Sequence, residues 1–201
     1  GALHKYIHKH LPETDLTTVE INPGVIELRQ EFCIPRDDER SRIVCADGAA
    51  FLAKPTHQFD IILVDGFNAA GLPDALCSPG FYRRVRAALA PQGVMVANVQ
   101  ADTEQTRDIM KRVGRVFDGA TLSFESDEGG NDIVLAASQE ALNAAAQAFE
   151  SRWDALCEPH KATLAAACQA VDPQTLLPEL VGQLANAFGA ARDQCGTAFE
   201  S

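Results

Sequence analysis

Nowhere in the chain is there an apolar run of about 18 residues, so a transmembrane helix is excluded and no membrane partner is expected. No CxxC pair occurs among Cys33, Cys45, Cys77, Cys157, Cys168 and Cys195, and their scatter fits neither a zinc ligand set nor a disulfide framework. Reduced thiols in a cytoplasmic protein are the simplest reading of that pattern. The opening GALHKYIHKH lacks the long apolar segment of a secretory signal, which carries the same expectation. Basic residues are in deficit: 17 Lys and Arg against 28 Asp and Glu leave a net charge of −11. Such a field repels phosphate backbones, so no nucleic-acid partner is expected, whereas cationic ligands such as amines are favoured. What is present is enough for a core: 46% of the 201 residues are hydrophobic, which suits one good-sized domain with room for a short appendage.

Periodicity places the elements. Leu3, Ile7 and Leu11 recur every four residues, predicting a helix that Pro12 stops. TTVEI (17–21) reads as a strand; Asn22 then offers a helix cap and Pro23 a first helical position, for a helix through Phe32. RIVCAD (42–47) is the next strand, followed by a short helix around GAAFLAK. FDIILVD (59–65) is continuously apolar until its end, which predicts burial on both faces, as in a parallel sheet. After a loop with Gly71 and Pro73, Pro79 opens a helix towards Leu89, and GVMVANV (93–99) is a further strand. Residues 102–117 form a helix with Ile109, Val113 and Val116 on one side. ATLSFE and NDIVLAA then flank the turn sequence SDEGG as a hairpin.

Alternating strands and helices imply an α/β fold with a mostly parallel sheet, to which the terminal hairpin adds an antiparallel edge. From Ser138 alanine dominates, and Leu142, Phe149, Trp153 and Leu156 keep helical spacing. Pro173 and Pro178 interrupt before a last helix carrying Leu180, Leu184 and Phe188. The expected division is therefore a sheet domain over 1–137 and a helical C-terminal extension over 138–201, with Trp153 a packing residue.

In parallel α/β sheets ligands bind beyond the carboxyl ends of the strands. Three acids sit at or near such ends: Glu20, Asp47 and Asp65. An acid after the second strand of a nucleotide-binding half can accept from both ribose hydroxyls, one after the third from an adenine amino group, and one after the fourth faces the reacting end of a ligand. Each alone also reads as a solvated loop acid or a helix cap. His4 and His8 lie four apart on one helix face, but no third ligand accompanies them, so a solvated face is expected and no metal. Cys77 has no neighbouring His or Lys to activate it and reads as inert. Arg83, Arg84 and Arg86 read as a solvent-facing cluster on their helix.

The stretches VEINPGVIELRQEF, ADGAAFL and FDIILVDGFNAAGLPDALCSPGFYRRVRAALAPQGVMVANV resemble the spermidine synthase (polyamine aminopropyltransferase) family. The resemblance covers roughly residues 1–137 and is most specific from Phe59 to Val99, where Asp65, Gly71 with Pro73, and Phe81 with Tyr82 match the strand-end acid, the loop and the aromatic pair. It implies the Rossmann-like fold of S-adenosylmethionine-dependent methyltransferases. It also implies no tightly bound cofactor, with decarboxylated S-adenosylmethionine or S-adenosylmethionine as co-substrate and a small-molecule amine such as putrescine as acceptor. On this resemblance Glu20 holds the ribose, Asp47 with Gly48 recognises the adenine, and Asp65 is the catalytic acid of aminopropyl transfer. Gly1 stands as the remainder of the family's glycine loop, and Asn68 and Tyr82 contact the amine.

The chain departs from the pattern in two places. Asn68 stands where the family carries a second aspartate, and Ala2 and Leu3 where an aspartate and a glycine are expected. The family's first strand and most of its glycine loop are not found, so the sequence reads as truncated at the N-terminus or as a reduced relative. Alternatives are a small-molecule methyltransferase and a catalytically silent relative with an assembly role; a homodimer is a further expectation.

Overall fold

A computed structural model describes residues 1–68, 71–125, 130–155 and 161, apart from the side chains of residues 125, 149, 150, 152 and 153. The expected SDEGG turn, the side chain of Trp153 and the segment with Pro173, Pro178 and the last helix lie largely or wholly outside these residues. Two compact units follow one another along the chain, Gly1–Thr56 and His57–Ser201.

The first unit runs α1 (Ala2–His10), β1 (Leu16–Glu20), α2 (Pro23–Glu27), β2 (Ser41–Cys45) and α3 (Gly48–Phe51). β1 and β2 pair in parallel, with Glu20 opposite Cys45. Asn22 caps α2 by accepting from the Gly24 amide (2.9 Å), as its position before Pro23 predicts. The helix ends at Glu27 instead of running through Phe32. None of its residues is buried, so no tertiary packing extends a helix too short to persist alone.

The stripe of α1 also differs from the expectation. Ile7 is buried but Leu3 and Leu11 are exposed, and His4, read as solvated, takes the inward place beside Ile7. Its ring is 6% exposed and lies between two strands: Nδ1 is 2.8 Å from Thr18 Oγ1 and Nε2 is 3.0 Å from Ser41 Oγ. A neutral imidazole donates at one nitrogen and accepts at the other, and a hydroxyl can serve either. His8 instead pairs with Asp38 at 2.7 Å.

Burial, with Arg29, His8 and the N-terminal ammonium nearby, lowers the His4 pKa below its ordinary 6.5, against a weaker opposing pull from Asp37. The unfolded chain therefore takes up this proton first as pH falls. The stabilisation is complete above about 6.5 and declines below it, towards the depressed folded value. Urea melts followed by circular dichroism from pH 7.5 down to 5.5 should show falling stability, with a shallower fall in His4→Gln. Identical slopes in the two proteins would remove His4 from the account.

The second unit runs β3 (Phe59–Val64), α4 (Asp74–Cys77), α5 (Pro79–Ala88), β4 (Leu89–Gln100), α6 (Glu104–Val116), β5 (Thr121–Glu125), β6 (Asn131–Ala137) and α7 (Gln139–Ala155). Its sheet has the order β3-β4-β6-β5, with β3 and β4 parallel and the β5–β6 hairpin antiparallel. One face, carrying Ile62, Val64, Met95, Ala97, Val99 and Val134, is buried, as are Phe81, Tyr82 and Val85 of α5 and Ile109 and Val113 of α6. Towards the other face Val94 and Leu122 pack against Ala141, Leu142 and Ala146 of α7.

Burial of β3 on both faces is not what the structure shows. Ile61 is 61% and Leu63 43% exposed. Among the described residues β3 lies at the edge of its sheet beside β4, and its alternate residues Ile62 and Val64 are buried, so the apolar run is covered on one face. Among the described residues no helix is long and apolar enough to cross a membrane.

Candidate functional site

In the first unit two carboxylates stand at the same end of adjacent parallel strands. Glu20 closes β1, and the Ala46 amide donates to its carbonyl at 3.0 Å. Its side chain is fixed too: Oε1 accepts from the Asn22 amide at 2.7 Å, just ahead of α2. Asp47 lies two residues beyond the end of β2 and not in it. It caps α3, with Oδ1 accepting from the Ala50 amide at 2.7 Å, and Gly48 is the first residue of that helix. A carboxylate has about four lone-pair positions, so one backbone contact leaves each acid able to accept from a ligand hydroxyl or amino group. Gly1 precedes α1, and its carbonyl accepts from the Lys5 amide at 3.1 Å. A side chain at this position would collide with Ile34.

In the second unit Asp65 follows β3 directly and is exposed. The parallel register pairs Val64 with Ala97, so the next step along both strands sets Asp65 beside Asn98. Asn98 Nδ2 donates to Asp65 Oδ1 at 3.0 Å. A carboxylate only accepts, which orients the amide with its NH₂ towards Asp65. Asn98 Oδ1 is then a buried acceptor with no partner among the described residues. The exposed Asp65 carboxylate, held by this amide, suits a ligand with N–H donors such as an ammonium group. Sequence reasoning passed over Asn98; the signal available was a polar residue breaking the apolar run VMVANV near the end of its strand.

The loop after β3 carries Asn68, which exchanges backbone hydrogen bonds with Gly71 at 2.9 and 3.1 Å. Gly71 has φ +106°, a conformation that favours glycine. Gln105 of α6 ties this loop down by donating from Nε2 to the Leu72 carbonyl at 2.8 Å. Asn68 is exposed, close in sequence to Asp65.

Tyr82, expected to contact the amine, is completely buried, with its ring 5.5 Å from that of Phe81. Its hydroxyl has no partner among the described residues, and burial drives its pKa upward. In this structure it is a core residue. Cys77 is likewise buried, and burial raises its thiol pKa, in line with an inert role. Among the described residues no group of three His, Cys, Asp or Glu side chains could hold a metal ion.

The sequence profile of the spermine/spermidine synthase domain matches residues 1–124, a span that includes Glu20, Asp47, Asp65 and Asn98. The chain belongs to the spermine/spermidine synthase family. The polyamine aminopropyltransferase of Neisseria meningitidis is 36% identical over 137 residues, covering 68% of this chain and 52% of the relative. The chain thus spans about half the length of that family member. A crystal structure of spermidine synthase in complex with the transition state analogue AdoDATO superposes with a TM-score of 0.53 at 26% identity, over 60% of this chain and 45% of that one. Human methyltransferase-like protein 13 in complex with SAH gives a TM-score of 0.62 over 94% of this chain and 77% of that one. At 19% identity the latter speaks for the fold alone, which is the mixed α/β fold of methyltransferases and spermidine synthases.

Proposed function

We propose that this chain carries the ligand-binding domain of an aminopropyltransferase of polyamine biosynthesis, spanning residues 1–137, with residues 138–201 a helical extension. The co-substrate is decarboxylated S-adenosylmethionine and the acceptor a small amine such as putrescine, in a cytoplasmic and homodimeric protein. Family membership supports the reaction class. The observation that carries the role of Asp65 is its hydrogen bond from Asn98, which holds one carboxylate oxygen in place at a strand end.

In this reading Glu20 accepts from the ribose hydroxyls, and Asp47 with Gly48 receives the adenine. Gly1 belongs to the close-approach segment near the ligand. The acceptor is an ammonium at neutral pH and cannot attack until it loses a proton. Asp65 attracts the cation and takes that proton. The freed nitrogen lone pair forms a bond to the aminopropyl carbon next to the sulfonium. The carbon–sulfur bond breaks, and its electrons stay on sulfur as a neutral thioether, methylthioadenosine. Orientation supplies most of the acceleration in such an in-line displacement. Asn68 offers the amine an uncharged acceptor where the family pattern has a carboxylate. Contact between the amine and Tyr82 requires that ring to leave the core and carries less of the reading.

Calorimetric titration with decarboxylated S-adenosylmethionine, S-adenosylmethionine and methylthioadenosine tests the assignment. Preference for the decarboxylated ligand or methylthioadenosine is the expected result. Preference for S-adenosylmethionine would move the assignment to methyl transfer. A folded protein that binds none of the three would contradict it and favour a silent relative.

A further inference from the structure

α5 and α6 lie side by side on the sheet, and between them runs a groove of about 450 Å³ lined by Pro79, Arg83, Arg86, Arg112, Arg115 and Val116. Arg83 and Arg86 are three residues apart on α5, as are Arg112 and Arg115 on α6, so each pair shares a helix face. Like charges at this spacing destabilise a helix, and here two such pairs face one another in a chain with a net charge of −11.

The fold accounts for two of the four guanidiniums. Arg112 donates to the Cys77 carbonyl at 2.9 Å, which ties α6 to the segment ahead of α5. Arg86 pairs with Asp118 at 2.8 Å, donates to the Val116 carbonyl and lies 6.0 Å from the Phe117 ring. Arg83 and Arg115 have neither an ion pair nor a hydrogen bond among the described residues. Both are exposed, as the solvent-facing reading of Arg83 expects, so two cations in one groove are open to an anion from solution.

We propose that this groove binds a small molecule carrying two or more linked phosphates. A guanidinium presents a planar fork of donors that matches phosphate oxygens two at a time. A single carboxylate brings one charge and two oxygens, enough for one fork but not for both Arg83 and Arg115, whereas two linked phosphates offer an anionic group to each. The volume lies within the range of small-molecule sites, and Pro79 and Val116 give the groove an apolar contact surface that inorganic phosphate does not need. Nucleic acid is disfavoured because the rest of the chain repels a long polyanion. The site stands apart from the reading of Asp65. Strand alternation puts Asp65 and Asn98 on one face of the sheet, while α5 and α6 cover the other.

The test is calorimetric titration of the full chain with inorganic pyrophosphate, tripolyphosphate and a nucleoside triphosphate. The proteins compared are wild type, the double variant Arg83→Gln with Arg115→Gln, and Arg107→Gln as an exposed control on another side of α6. Saturable binding that weakens at least about tenfold in the double variant and survives in the control is expected. Equal affinity for tripolyphosphate and the nucleoside triphosphate would assign recognition to the phosphates alone; tighter nucleotide binding would add the apolar lining, and either supports the proposal. No binding by a protein folded by circular dichroism would overturn it, as would equal losses in the control. A polyglutamate peptide that binds where no phosphate compound does would also overturn it, in favour of an acidic protein partner.

Discussion

Asp65→Asn is expected to lower aminopropyl transfer by roughly two to four orders of magnitude, the range over which a positioned general base contributes. The substitution keeps the size and planarity of the side chain but removes its charge and its ability to take a proton from the amine. Affinity for methylthioadenosine should change little, because the proposed nucleoside contacts are Glu20, Asp47 and Gly48. Asn98→Ala should act in the same direction with a smaller loss. It removes the 3.0 Å hydrogen bond that orients Asp65 without touching the carboxylate itself. The loss should appear in kcat with KM for the co-substrate held, since a positioning residue for the base does not bind the nucleoside. Turnover by Asp65→Asn at the wild-type rate would refute the assigned role.

Gly93→Ala is expected to cost about 3 kcal/mol of stability, the upper end of what overpacking a well-packed interior costs. A Cβ at Gly93 would come 2.8 Å from the Phe59 carbonyl oxygen and 3.0 Å from both the amide nitrogen and the carbonyl oxygen of Ala90. All three are backbone atoms, so no side chain can rotate away. The register between β3 and β4 shifts between Phe59 and Ile61, and the glycine is what lets the two backbones approach there. Gly114→Ala provides the contrast. Gly114 lies inside α6 with nothing within 4 Å of a Cβ. Alanine there should stabilise by about 1 kcal/mol through helix propensity alone. Urea melts of both variants by far-UV circular dichroism should move in opposite directions; an unshifted midpoint in Gly93→Ala would mean that the β3–β4 approach yields easily.

Much of this architecture was legible in residue patterns because the determinants are local. Asn22 before Pro23 caps its helix as a short side chain at that position should, and Pro79 opens α5 as expected, whereas α6 starts at Glu104 behind its cap Thr103 and not at Asp102. The strands β1 to β4 and the closing hairpin follow from β-branched and apolar runs between turn residues. The three strand-end acids were visible for the same reason, since each is the first charged group after such a run.

What needed tertiary structure was every relation between segments distant in sequence. Two strands can be recognised separately, but hydrogen bonding decides their register, and the Val64–Ala97 pairing is what brings Asn98 to Asp65. Coverage is likewise a property of neighbours. The apolar run of β3 is the same whether one face or both are covered, and here the face carrying Ile61 and Leu63 stays exposed. His4 is polar by composition, yet Thr18 and Ser41 satisfy both its nitrogens and allow it to be buried. Tyr82 shares a helix stripe with Val85, and the sheet beneath, not its place in a motif, put it in the core. Arg112 and Arg115 join Arg83 and Arg86 only because α5 packs beside α6. The sequence by itself determined the family, most of the elements among the described residues and the candidate acids, because caps, turns and runs act over a few residues. The partners of those residues were decided by packing and strand register, which couple positions tens of residues apart.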